Sequence, residues 1–245
     1  MRYAAAVLVA IFVAPSAHAI TFAQFAIGGG YEATLMLSNT SSFDWSGKIW
    51  VRQGADQRWA GQWSCNGQSF SGYDYLLVRL PSKSSLKLLF RGDAQTKTGY
   101  LKVDPDMGSH ESDLTVAYFY SYYSGGRLVN LTGSGPSEDG DTLAFPVEIG
   151  PGIDTGYALC PYIGTPPFQV KLTLFDHQGQ QRASTTINYT GHFAEFVSQR
   201  FPNLPQPFIG HMVVEAQWMM GLEVLRMEYG QGWFLLTSTP AKWLP

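Results

Sequence analysis

Charge is scarce in this chain: Asp, Glu, Lys and Arg make up 14% of its 245 residues, with 16 basic side chains against 19 acidic ones. Without a basic stripe there is no electrostatic footprint for nucleic acid, and nothing in the composition calls for a disordered tail. Cysteine is rarer still, with only Cys65 and Cys160 present, so at most one disulfide can form. Long apolar runs are missing beyond the N-terminus, and no later segment approaches the ~20 consecutive apolar residues that cross a bilayer. Catalytic signatures are missing as well. Gly133-Ser134-Gly135-Pro136-Ser137 is not a nucleophile elbow, and Gly28-Gly29-Gly30 leads into no helix that could hold a phosphate. His110, His177, His192 and His211 stand at no metal-ligand spacing and read as surface or edge-strand residues. Asp104-Pro105-Asp106 and Glu138-Asp139-Gly140-Asp141 read as solvated turns rather than calcium loops. The chain therefore offers no catalytic residue, no metal ligand and no cofactor motif.

What is present begins with a targeting pattern. Arg2, an apolar run from Ala4 to Ala14 and the small-residue site Ala17-His18-Ala19 have the order of a secretory signal peptide over 1–19. Ile20 then opens the mature chain, and no cysteine follows the cleavage point to take a lipid. With no hydrophobic C-terminal tail, no membrane anchor is expected after processing, and the localisation is secreted or periplasmic. Such a compartment allows a disulfide to persist.

The rest reads as two copies of one unit. Phe25-Ala26-Ile27-Gly28-Gly29-Gly30-Tyr31 aligns with Val147-Glu148-Ile149-Gly150-Pro151-Gly152-Ile153. Leu35-Met36-Leu37 aligns with Tyr157-Ala158-Leu159, and Lys48 to Val51 with Lys171 to Leu174. Leu80 to Phe90 matches Ile187 to Val197, and Gly99 to Val103 matches Gly210 to Val214. Each copy closes on a hairpin, at Ser124-Gly125-Gly126 and at Tyr229-Gly230-Gln231-Gly232. Short strands at this spacing predict an all-β fold of two tandem immunoglobulin-like antiparallel sandwiches. The expected boundaries are 20–135 for the first domain, 136–142 for a linker and 143–245 for the second domain.

Period-2 alternation sends Ile49 and Val51 inward and turns Trp50 outward between the cations Lys48 and Arg52. The first copy also carries an aromatic-rich insertion over 58–76. Loops that extend a scaffold concentrate binding residues, so Trp50, Trp59, Trp63, Tyr73 and Tyr75 are the candidate contact surface. Cys65 lies in the insertion and Cys160 on an outward position of the second copy. A Cys65–Cys160 bridge would staple the two units, and two free thiols are the equal alternative.

The stretch Phe22-Ala23-Gln24-Phe25-Ala26-Ile27-Gly28-Gly29-Gly30-Tyr31, with Leu35-Met36-Leu37-Ser38-Asn39-Thr40-Ser41-Ser42, resembles the opening of a group of uncharacterised secreted bacterial proteins. Members of that group often repeat the segment in a second half that ends in a "FPVE…TGYAL" pattern. The resemblance covers most of the chain after Ala19 and implies export and tandem β-sandwich modules; it carries over no functional residue. The second copy departs from it at Cys160-Pro161, where the first has Ser38-Asn39. The expected function is an exported, non-enzymatic binding or surface module that contacts carbohydrate or protein through exposed aromatics. The alternative is a polysaccharide-acting enzyme or accessory whose carboxylates, such as Asp74 and Glu148, meet only in three dimensions.

Overall fold

The structure is a computed structural model that describes residues 19–54, 57–71, 75–161, 167–231 and 233–244. The expected signal peptide up to His18, together with Tyr73 and Asp74, lies outside the described residues. Nearly all of the described chain is antiparallel strand. In chain order the strands of the first half are β1 (Ile20–Ile27), β2 (Tyr31–Asn39), β3 (Trp45–Gln53), β4 (Gln57–Arg58), β5 (Gln62–Cys65), β6 (Gln68–Ser71), β7 (Tyr75–Leu80), β8 (Ser85–Arg91), β9 (Lys97–Pro105), β10 (Leu114–Ser124) and β11 (Arg127–Ser134). The second half runs through β12 (Glu138–Ile149), β13 (Ile153–Pro161), β14 (Phe168–Asp176), β15 (Gln181–Tyr189), β16 (Phe193–Phe196), the single helical turn α1 (Val197–Arg200), β17 (Phe208–Gly230), β18 (Trp233–Thr239) and β19 (Lys242–Trp243).

The repeat read from the sequence reappears as a repeat of strand pairings. In the first half β9 lies between β1 and β3, β7 flanks β3, and a second sheet runs β11-β10-β2-β8. In the second half the start of β17 lies between β12 and β14, β15 flanks β14, and the end of β17 lies between β13 and β18, with β16 beside β13. These eight positions of the first half thus have counterparts in the second, while β4 and the β5–β6 pair have none among the described residues. The bend after β1 is tight because Gly28, Gly29 and Gly30 all adopt positive φ. A Cβ on Gly28 would sit 2.2 Å from the Gln95 carbonyl oxygen, which explains why only glycine fits.

Alternating inward side chains build two separate cores. Ile49 and Val51 are fully buried in the first, as the alternation predicts, together with Phe22, Leu35, Phe90 and Leu101 from both sheets. Leu172 and Leu174 enter the second with Leu143, Val170, Met212 and Leu222.

Three expectations change. Glu138 to Thr142, expected to be linker, is strand: Glu138 pairs with Leu222 and Thr142 with Glu215. Gly140 permits this because the Trp243 ring crosses where its side chain would project. Asp104 belongs to β9 and accepts a hydrogen bond from Trp50 Nε1 at 3.3 Å. Finally, the insertion is not a surface loop. It forms the β5–β6 hairpin, turned at Asn66-Gly67 with positive φ at both residues, the geometry of a two-residue hairpin turn. Asn66 then ties this hairpin to β8, because its side chain accepts from Leu89 N at 2.8 Å and donates to Lys87 O at 3.0 Å.

Candidate functional site

The candidate aromatics divide by position. Trp59 and Trp63 are buried, at 1% and 2% exposure, inside the first core rather than on a contact surface. The physical reason is the hairpin. It pairs with β8 at the edge of the sheet through Ser64–Arg91 and Cys65–Phe90, and the inward positions then complete the core. Trp63 stacks on Phe70 at 4.4 Å, and Trp59 meets Phe25 edge to face at 5.2 Å. Trp50 is half-buried rather than exposed, with Arg52 over its ring at 4.4 Å and Tyr75 beside it at 4.9 Å. Tyr75 keeps an exposed edge, and Tyr73 lies outside the described residues. The five residues therefore do not form one surface.

The cysteines do not bond. Both are free and buried, in different places. Cys65 sits in the first core, where burial pushes its thiol up to about 11. Cys160 does point away from the second core, but that outward face is covered by the first half, so it packs with Ala23, Tyr100 and Ala158. His192 corrects a second reading of surface residues. Its backbone N–H donates to Gly54 O, its ring stacks on Tyr100 at 6.2 Å, and burial lowers its pKa to about 4.

This junction between the halves holds the concave site, a cleft of about 670 Å³. One wall comes from the outward face of β13, β16, β17 and β18, where Gly156, Ala158, Phe196, Leu225, Met227 and Leu236 present mostly apolar surface. The facing wall comes from the first half, with Gln24 and Ala26 on β1, Tyr31 on β2, Thr96 and Thr98 beside or on β9, and Tyr120 on β10. The strand register explains this composition. Glu223, Leu225, Met227 and Tyr229 alternate onto the outer face of β17, while Leu222 and Val224 enter the core.

Two acidic residues line the cleft, and they differ. Tyr157 pairs with Glu195 on one side and Val224 on the other, whereas Ala158 pairs with Ala194 and Glu223. Directly paired residues share a face and adjacent residues alternate, so Glu195 and Glu223 belong to opposite faces of this sheet. Their strands flank β13 and stand ~10 Å apart. Glu195 is held by Arg200 at 2.6 Å and by the Tyr157 hydroxyl. Glu223 is buried at 4% exposure, accepting from Gln24 N at 3.0 Å and contacting the Tyr120 hydroxyl at 2.8 Å. Burial raises its pKa to about 7, and hydrogen bonding with Gln24, Tyr120 and Ser134 pulls the other way. Glu148, the named partner of Asp74 in the enzymatic alternative, instead pairs with Arg226 at 2.7 Å.

Sequence reasoning missed Glu223 and the cleft because no local pattern marks an outward strand face that a second unit will cover. A partial signal exists in the outer-face alternation Glu223, Leu225, Met227, Tyr229, which is more apolar than a solvated face needs. Comparison of the chain with known protein families, with curated proteins and with solved structures finds no match.

Proposed function

We propose that the chain is an exported, non-enzymatic binding module of two tandem immunoglobulin-like sandwiches whose ligand occupies the cleft between them. The observation that carries this reading is the cleft itself. Its volume of about 670 Å³ falls in the range of small-molecule sites, and apolar side chains dominate it. Two exported units that only needed spacing could dock by filling such a gap. The buried residues around it instead hold the gap open with small side chains, Gly156, Ala158 and Ala26.

The binding role moves from the insertion to the junction, since Trp59 and Trp63 serve the first core. Among the described residues a carbohydrate- or protein-contacting patch reduces to Trp50 and Tyr75, and Arg52 already covers the Trp50 ring. The enzymatic alternative has one observation in its favour, two acidic residues lining one cleft with one pKa raised. A glycosidase-type pair must face one substrate across a gap of ~5–10 Å. Placement on opposite faces of a sheet, with Glu195 neutralised by Arg200, favours binding over hydrolysis.

Native mass spectrometry tests the proposal. The chain from Ile20 is incubated with aqueous and organic-solvent extracts of bacterial envelope, beside a Leu225→Trp variant shown to be folded by circular dichroism. Adducts on the parent protein that the variant loses are the expected result. Identical adducts on both proteins, or none on either, would contradict a cleft ligand.

A further inference from the structure

We infer that the junction cleft takes an uncharged, apolar small molecule, because the hydrogen bonds along its buried wall close into a ring that leaves no charge there. The inference rests on the cleft being the binding site and adds the ligand class.

The ring has three members, Gln24, Tyr120 and Glu223, all of which line the cleft. The Gln24 backbone N–H donates to Glu223 Oε2 at 3.0 Å. The Tyr120 hydroxyl also donates to the Gln24 backbone carbonyl, and the same hydroxyl oxygen lies 2.8 Å from Glu223 Oε1. A carbonyl oxygen can only accept, and a phenol has one hydrogen. Once Tyr120 gives that hydrogen to Gln24, the contact with Glu223 needs a second one, and only a protonated Glu223 supplies it. Counted this way, Glu223 Oε1–H donates to Tyr120 Oη, Tyr120 O–H donates to Gln24 O, and Gln24 N–H donates to Glu223 Oε2. Each of these three hydrogen bonds then has one donor and one acceptor, and with Glu223 protonated the ring is neutral.

The surroundings agree. Burial disfavours the charged form of Glu223. Its titratable neighbours are Tyr118 and Tyr120 on β10, which burial keeps as neutral phenols, and Cys160 on β13, which burial keeps as a thiol. Lys102 on β9 and Asp139 on β12 act on that thiol, and Ser134 on β11 adds a hydroxyl toward Glu223. Among the described residues no Lys, Arg or His lines the cleft, and its other acidic residue, Glu195, is paired with Arg200. An anionic ligand finds no cation there, and a cationic one finds no free anion. A charged molecule would lose its hydration without recompense, whereas an uncharged apolar one gains burial against Ala158, Phe196, Leu225 and Met227.

The test uses two fluorescent probes that share their aromatic rings and differ in charge. N-phenyl-1-naphthylamine is neutral, and 1-anilinonaphthalene-8-sulfonate carries a sulfonate. Each is titrated into the chain from Ile20 at pH 6 and pH 9, and into folded Glu223→Gln and Leu225→Trp variants. The neutral probe is expected to bind saturably at pH 6 and roughly tenfold or more weaker at pH 9, where ionised Glu223 can no longer donate to Tyr120. Glu223→Gln keeps an N–H donor and a carbonyl acceptor in the same places, so its affinity should be equal at both pH values. The sulfonate probe should bind at least about tenfold more weakly than the neutral one at pH 6, the effect of one uncompensated buried charge. Equal affinity for the two probes, no binding of the neutral probe, or parent affinity unchanged between pH 6 and pH 9 would overturn the ligand class. Neutral-probe binding left intact by Leu225→Trp would place the probe elsewhere and overturn the inference together with the cleft. Envelope adducts lost on Leu225→Trp, without a preference for the neutral probe, would sink the ligand class alone.

Discussion

The two halves share a strand plan and solve it with different materials. The first half buries three tryptophans, Trp45, Trp59 and Trp63, beside Phe22, Phe25 and Phe90, whereas among the described residues the second core has no tryptophan and packs Leu, Val, Ile and Met around the smaller rings of Phe145, Tyr157, Phe168, Tyr189, Phe201 and Phe208. The first breaks the passage between its sheets after β9, where Asp106 to Asp113 form a loop and a 3-10 turn before β10 begins. In the second, β17 makes the same passage as one 23-residue strand. Residues between Ala216 and Met220 pass the corner opposite a register shift in β12, and a shift of this kind bends a strand without ending it. The lesson is that the pairing plan is separable from its details. Bulky rings oblige the first half to recruit a hairpin as an extra wall, and the continuous strand of the second leaves an apolar outer face that needs the first half to cover it.

That contrast can be broken at several points. Deleting the Gln62–Ser71 hairpin should unfold the first half, since it removes Trp63 and opens the core, and the second half needs no equivalent. Trp63→Ala alone is expected to cost ~3–5 kcal/mol, read as a lowered urea midpoint, whereas Asn66→Ala, which only unties the hairpin from β8, should cost ~1 kcal/mol. If Trp63→Ala were as mild as Asn66→Ala, the hairpin would be a decoration rather than part of the core.

A second test concerns pH. Glu223 has its pKa raised to about 7 in the folded chain, against an unfolded value of ~4.3. The folded state therefore holds the proton more tightly, so this stability is fully present below the unfolded value and is lost as pH rises through about 7. The loss is on the order of 3 kcal/mol, measured as a urea midpoint falling between pH 4.5 and pH 8. Glu223→Gln should remove that slope, and a parent midpoint that rose over the same range would reverse the assignment. The thiols provide a smaller test. Cys65 and Cys160 should resist alkylation in the folded protein at pH 8 and both react in urea. A mass showing a Cys65–Cys160 bridge would contradict the two separate burial sites. Trp50→Ala should have the least effect, under ~1 kcal/mol, because the ring is only half-buried.

Much of the fold was legible and much of the site was not, for identifiable reasons. The offset alignment of Ile27 with Ile149 and Ile49 with Leu172 anticipated the inward positions, because period-2 burial is written locally in each strand. The Gly28-Gly29-Gly30 bend was legible because its backbone excludes other residues. Trp59 and Trp63 misled because aromatic content does not say on which side of a sheet a ring lies. The Asn66-Gly67 pair did encode the hairpin that carries Trp63 inward. Cys160 and Glu223 were read as outward or passed over, since both project from the second core, and only the docking of the first half buries them. A cleft whose walls hold residues as far apart in the chain as Gln24 and Glu223, 199 positions, leaves little trace in either segment taken alone.

The most direct test of the account is the methyl spectrum of the methionines during titration with N-phenyl-1-naphthylamine at pH 6. Met227 lines the cleft, Met36 and Met107 are exposed on the first half, and Met212 is buried in the second core. A saturable shift of Met227 is expected, with Met36, Met107 and Met212 nearly stationary. Saturable binding that leaves Met227 in place and moves Met36 or Met107 would contradict a ligand site between the two halves.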